Sequence, residues 1–205
     1  MSRPVTIYAE MTPNPKTMKF VADHMLISSG EIVEFLSPSD SKGYSTLADA
    51  LFNFPFVTKI FIAQNFVTVT KNDMIEWSDV SLEMRDFIRE WLMENEDAVQ
   101  KIPEQSKIEV VSESETKTTN ISPVINTEMD QKIVDLINEY IQPAVEQDGG
   151  AIHFQSYNED NGQVTVVLKG SCSGCPSSTA TLKGGVENLL KSHIPEINEV
   201  VALNG

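Results

Sequence analysis

The stretch Val164-Thr165-Val166-Val167-Leu168-Lys169-Gly170-Ser171-Cys172-Ser173-Gly174-Cys175-Pro176-Ser177 decides how the second half of this chain folds. Val164, Val166 and Leu168 alternate as one face of a strand. The glycines and serines after Lys169 break that pattern. Pro176 suits the first position of a helix, where its missing N–H would have had no partner anyway. From there Leu182, Val186, Leu189 and Leu190 recur at helical spacing, and a last strand is expected over residues 197–203. A strand, a crossover helix and another strand put the two strands parallel in one sheet.

Working backwards, Thr127-Glu128-Met129-Asp130 has the form of a capping box. It precedes a helix whose stripe is Met129, Ile133, Leu136, Ile137, Tyr140 and Ala144, with Pro143 expected to kink the last turn. Asp148-Gly149-Gly150 then turns the chain into a strand carrying Ile152 and Phe154, and Asp160-Asn161-Gly162 reverses it into the Val164 strand as a hairpin. Residues 127–205 therefore read as an α-β-β-α-β domain with a mixed three-stranded sheet.

Residues 1–95 read as a separate domain. β-rich runs at 5–9, 17–22 and 31–36 are separated by Thr12-Pro13-Asn14-Pro15 and Ser37-Pro38-Ser39-Asp40, which suggests an antiparallel meander. A short helix over 45–52 and a hairpin of 57–62 with 66–70 follow. From Val80 the period becomes helical through Met84, Phe87, Ile88, Trp91 and Leu92, with Ser78 or Asp79 as N-cap. Residues 96–126 have few large apolar positions and a Ser/Thr-rich centre, and they read as a flexible linker spanning about 30 Å. The fold class is α+β / α/β in two small domains: an N-terminal antiparallel sheet with helices, and the C-terminal mixed sheet.

The chemistry converges on Cys172 and Cys175, the chain's two cysteines. Their spacing makes them one chemical unit and rules out a multi-bridge disulfide framework. Pro176 at the first helical position puts Cys175 at the N-cap, where free N–H groups and the helix dipole favour a thiolate. Only Gly and Ser flank the pair, and Gly174 can take a positive φ so that both sulfurs point the same way. Two thiolates are half of what a tetrahedral zinc or a four-thiolate iron–sulfur cluster demands. Among the histidines, His24 lies in the other domain, His153 alternates out of phase with the core positions, and His193 sits near a helix end. Surface or capping roles are the ordinary reading of each.

A second copy of the chain, related by a two-fold axis near the loop, would supply the other two thiolates. A group held by two bonds per chain exchanges readily, which suits a non-catalytic carrier. CxxC is also the spacing of a thiol–disulfide oxidoreductase, with Cys172 as nucleophile and Cys175 resolving, and of a zinc-bridged structural dimer. A thioredoxin-like site normally also has a cis-proline before a partner strand. The only later proline, Pro195, follows the helix and precedes the last strand.

Residues 127–205 resemble the NifU C-terminal domain of Nfu-type proteins. The match runs through Asp148-Gly149-Gly150, the hairpin, the Gly170 to Ser178 loop, and Thr181-Leu182-Lys183-Gly184-Gly185. Residues 1–95 are similar to the Nfu N-terminal domain through Thr12-Pro13-Asn14-Pro15, Met18-Lys19-Phe20 and Phe66-Val67-Thr68-Val69-Thr70-Lys71. The resemblance implies a labile [4Fe-4S] cluster on Cys172 and Cys175 of two C-terminal domains. It also implies homodimerisation when the cluster is bound, upstream donor proteins, and delivery to apo-iron–sulfur proteins. Ser171 stands where alanine is frequent in the family. Gly184 and Gly185, each costing a helix about 1 kcal/mol against alanine, suggest close approach of another backbone.

The charge of −15 divides as −5, −3 and −7 over residues 1–95, 96–126 and 127–205, so no segment is basic and neither nucleic acid nor an anionic membrane surface is an expected partner. No run has signal-peptide or membrane-spanning character. The chain thus reads as cytoplasmic, with a mature organellar form left open.

Overall fold

The computed structural model describes residues 4–28, 31–95, 97–103, 127–173 and 176–204. The chain divides into two compact units, residues 1–106 and 107–205. Most of the expected linker, residues 104–126, lies outside the described residues.

The first unit is a five-stranded antiparallel sheet with three helices. Strands β1 (Ile7–Met11), β2 (Thr17–Ala22), β3 (Ile32–Phe35), β4 (Val57–Ala63) and β5 (Phe66–Lys71) lie in the order β1-β2-β5-β4-β3. The expected meander is therefore corrected. β2 pairs with β5, from Thr17↔Thr70 to Val21↔Phe66, and β3 reaches the far edge beside β4. The segment read as turn material before the short helix contains a one-turn helix, α1 (Pro38–Ser41), with proline in its first turn. Helix α2 (Thr46–Leu51) is capped by Ser45, whose Oγ accepts from Ala48 N at 3.0 Å and donates to Ala98 O at 2.7 Å.

Helix α3 (Trp77–Glu94) starts three residues earlier than its periodicity indicates, and neither Ser78 nor Asp79 caps it. Burial explains the early start. The Trp77 ring meets Phe20 edge-on at 6.2 Å, anchoring the first turn in the core without a side-chain cap. Phe20, Phe35, Leu47, Leu51, Ile60, Ile62, Met84 and Ile88 form the heart of that core. Residues 97–103, expected in the linker, pack on it through Ala98, Val99 and Ile102.

In the second unit, α4 (Glu128–Leu136) has the expected capping box: Asp130 N donates to Thr127 Oγ1 at 3.1 Å and Thr127 N to Asp130 Oδ2 at 3.0 Å. The kink expected at Pro143 takes a definite form. A π-turn (Ile137–Ile141), in which Gln142 N reaches Ile137 O, precedes α5 (Gln142–Gln147). Proline has no N–H to give and its ring would crowd the carbonyl four residues back, so the chain admits one extra residue. That residue rotates the stripe. Tyr140 is 51 % exposed and Ala144 lies outside, while Val145 is buried in its place.

Strands β6 (Gly150–Asn158) and β7 (Gln163–Gly170) form the expected hairpin. Helix α6 (Pro176–His193) crosses over to β8 (Glu199–Asn204), which runs parallel to β7. Ile133, Ile137, Ile152, Phe154, Val166, Leu168, Val186 and Leu190 fill the space between sheet and helices. Both outer strands are sealed by side chains: Ile152 N donates to Gln142 Oε1 at 3.2 Å and Val200 N to Glu187 Oε2 at 3.1 Å. Gly184 and Gly185 have nothing within 4 Å of an added Cβ, so no other backbone among the described residues approaches them.

Candidate functional site

The loop lies where β7 ends and α6 begins. Gly170, the last residue of β7, has φ +65 and lies opposite Gly150 in the antiparallel register. The paired glycines let two backbones and a sulfur meet closely. A Cβ on Gly150 would stand 2.7 Å from Cys172 Sγ, 2.7 Å from Lys169 O and 3.2 Å from Cys172 N. Gly149, with φ +80, turns the chain into β6 just before this point.

Residues 171–173 are tied down by hydroxyl groups as well as by backbone. Ser171 N donates to Gly149 O at 3.2 Å, and the Ser171 hydroxyl donates to Asp148 O. Ser173 N and Oγ both donate to Gly170 O, at 3.2 and 3.1 Å. From the first turn of α6, Thr179 Oγ1 donates to Cys172 O at 3.3 Å. Cys172 is left 6 % exposed and belongs to the hydrophobic core of the unit. Burial, reinforced by the Asp148 charge and opposed by contact with Ser171 Oγ, pushes its thiol up to about 11. At neutral pH the metal-free chain therefore holds Cys172 as a protonated core thiol.

Cys175 and Gly174, and with them the expected N-cap thiolate, lie outside the described residues. Of the histidines, His24 Nδ1 is 2.8 Å from Asp23 Oδ1, and His193 Nδ1 is 3.0 Å from Leu189 O at the end of α6. Both fit surface or capping roles. His153 departs from expectation. It faces away from Ile152 and Phe154, yet its Nε2 is shut off from solvent without a hydrogen-bond partner. Burial, with Lys169 nearby, lowers its pKa to about 4. No group of three or more His, Cys, Asp or Glu side chains among the described residues could hold a metal within one chain.

Sequence reasoning took Asp148-Gly149-Gly150 as a turn and missed that Gly150 forms the wall behind the sulfur. The signal was present in the two hairpin ends, since Gly150 and Gly170 become partners once Asp160-Asn161-Gly162 is accepted as the reversal. The Ser171 hydroxyl clamp had no sequence signal.

Fold and site define a two-unit α+β protein with a cysteine loop between a strand and the helix that follows. The family model for the scaffold protein Nfu/NifU N-terminal domain matches residues 7–95, and that for the NifU-like domain matches residues 133–201. A NifU-like protein of Schizosaccharomyces pombe is 32% identical over 204 residues, covering 97% of this chain and 73% of that protein. A Drosophila willistoni protein named NFU1 iron-sulfur cluster scaffold homolog, mitochondrial, is 32% identical over 199 residues, covering 97% of this chain. The chain spans 63% of the length of that Drosophila relative. A solution NMR structure of a NifU-like protein from Saccharomyces cerevisiae aligns at 27% identity and a TM-score of 0.43 over 47% of this chain and 86% of the other. The chain belongs to the Nfu/NifU-like family.

Proposed function

We propose that this protein is a non-catalytic iron–sulfur cluster carrier. Cys172 and Cys175 supply two thiolates to a labile [4Fe-4S] cluster, and a second copy supplies the other two through its own C-terminal domain. Donor proteins load the cluster and apo-iron–sulfur proteins receive it. The observation that carries this reading is the placement of Cys172: its sulfur lies at the junction of β7 and α6, in a turn of glycine and serine, in a chain with two cysteines. Relatives named as iron–sulfur cluster scaffolds support the same reading. A first domain of residues 1–95, extended by the 97–103 segment that packs on its core, and a second of residues 127–205 belong to this proposal.

The raised Cys172 pKa bears on the oxidoreductase alternative. A disulfide exchanger needs its attacking thiolate before the substrate arrives, and a thiol near 11 supplies little at neutral pH. A metal ion displaces the proton itself as it binds, so a protonated resting thiol is compatible with ligation. The Drosophila relatives are labelled mitochondrial, so the cytoplasmic expectation finds no support in them and an organellar form is the compartment they favour. Among the described residues no helix is long and apolar enough to cross a membrane.

Anaerobic reconstitution with iron and sulfide tests the proposal. The expected product is a brown dimer with about four irons, and Cys172→Ser or Cys175→Ser should each prevent its formation. A colourless dimer that retains zinc, or insulin reduction by the metal-free protein, would refute it in favour of the structural or the redox alternative.

A further inference from the structure

Cys172 is placed as a core residue would be. It is 6 % exposed, shares a cluster with Ile152, Leu168 and Val186, and has its sulfur against Gly150. A ligand that must reach inorganic iron and a second chain has to become accessible from outside this fold. The turn that carries it has a glycine in the left-handed region at its start, Gly170. Three hydroxyl groups hold it: Ser171 to Asp148 O, Ser173 to Gly170 O, and Thr179 to Cys172 O. All three acceptors are backbone carbonyls, so each bond fixes the path of the chain directly.

We propose that these hydroxyl bonds form a latch that keeps the Cys172 sulfur inside the metal-free fold, and that cluster loading proceeds through transient opening of residues 171–173. The purpose of the latch rests on the carrier reading; its geometry does not. While the chain is empty, the closed turn keeps one thiol away from oxidants. It also sets a ceiling on loading, because the rate saturates with donor concentration once opening becomes the slow step.

The test uses the full-length Cys175→Ser variant without metal, which leaves Cys172 as its one thiol. Alkylation by iodoacetamide, followed by mass spectrometry, is compared in native buffer and in denaturing urea. Native alkylation should be slower by about 100-fold or more. Adding Ser171→Ala should accelerate it about fivefold to tenfold, the equilibrium effect of losing one hydrogen bond. Amide hydrogen exchange at Ser173, whose N–H is held by Gly170 O, should rise by the same factor. A high thiol pKa alone would slow alkylation without protecting that amide. Ser173→Ala provides a second latch variant if Ser171→Ala does not fold.

Native alkylation within about threefold of the urea rate would overturn the latch, as would latch variants that change neither alkylation nor exchange. Reconstitution of the unmutated chain separates the two ideas. Iron uptake together with a freely reactive Cys172 refutes the latch and leaves the carrier standing, whereas a protected Cys172 in a chain that takes no iron does the reverse.

Discussion

The two units bury polar atoms to different ends. In the first unit Thr17 and Ser45 are buried, and their hydroxyls hold backbone: Thr17 Oγ1 donates to Asn14 O, and Ser45 Oγ ties α2 to the chain at Ala98. Its orphaned atoms, Trp77 Nε1 and Arg89 Nε, both belong to α3. In the second unit the buried hydroxyls of Ser171 and Ser173 hold the carbonyls of Asp148 and Gly170 on either side of Cys172, and the orphaned atoms among the described residues, His153 Nε2 and Gln155 Oε1, both belong to β6. One unit uses buried hydroxyls to fix a scaffold, and the other uses them to fix the turn that carries Cys172.

The division breaks most sharply over iron. A fragment beginning at Thr127 should still assemble the cluster, and residues 1–95 should bind none, with iron analysis after anaerobic reconstitution as the check. A C-terminal fragment that remains colourless, while the whole chain takes iron, would mean that the first unit contributes to the site and that the contrast is misplaced.

The two long hairpins sharpen the comparison at the level of backbone. In the first unit Gln64 enters the turn between β4 and β5 with φ 47, so a side chain is tolerated there. In the second, Gly162 has φ +65, and an added Cβ would stand 2.3 Å from Glu196 O and 3.0 Å from Asn198 N. Gly162→Ala combines left-handed strain with a backbone clash and should destabilise the second unit by about 3 kcal/mol or more in urea unfolding. Gln64→Gly should stay within about 1 kcal/mol. Equal effects would show that the turn facing Glu196 and Asn198 is no tighter than the one between β4 and β5.

Acid should also separate the units. His153 has a pKa of about 4 in the folded state against an ordinary 6.5, so between those values the unfolded chain binds the proton and the folded one does not. Stability is then complete above about pH 6.5 and falls as pH drops toward 4, by roughly 2–3 kcal/mol in all. Lys169, facing the same ring, acts in the same direction. Glu187, held low chiefly by its bond to Lys191, adds a loss only below its ordinary 4.5, and Asp23 and Asp73 of the first unit only below 3.8. His153→Gln should flatten the second unit's unfolding curve between pH 6.5 and 5 and leave the first unit's unchanged. A slope that survives the substitution would mean that the ring is solvated.

Much of this was legible in the residues. The order of elements in the second unit, the parallel β7–β8 pair and the Thr127 capping box followed from periodicity, turn residues and the handedness of crossovers. The meander was misread because local alternation marks strands but does not choose their neighbours. The choice of β5 over β3 beside β2 is made by long-range burial. Tyr140 was misplaced because a 3.6-residue period cannot register one inserted residue, although Pro143 marked where the insertion would fall. At the site, the cysteine pair was legible and the burial of Cys172 was not, since the Gly150 wall exists only once two strands pair.

The smallest effect bears on the proposed pairing of two copies. Gly184 and Gly185 lie exposed on α6 with open space where a Cβ would go, so nothing among the described residues accounts for two glycines inside a helix. In the metal-free protein Gly184→Ala and Gly185→Ala should each stabilise the second unit by about 0.5–1 kcal/mol, because alanine loses less backbone entropy on entering the helix. The reconstituted protein discriminates between the remaining explanations. If the glycines face a second chain, an added methyl group stabilises the empty monomer while weakening the iron-bound dimer, so thermal midpoint and dimer fraction move in opposite directions. If both rise or stay level, the glycines lie outside any contact between the proposed copies.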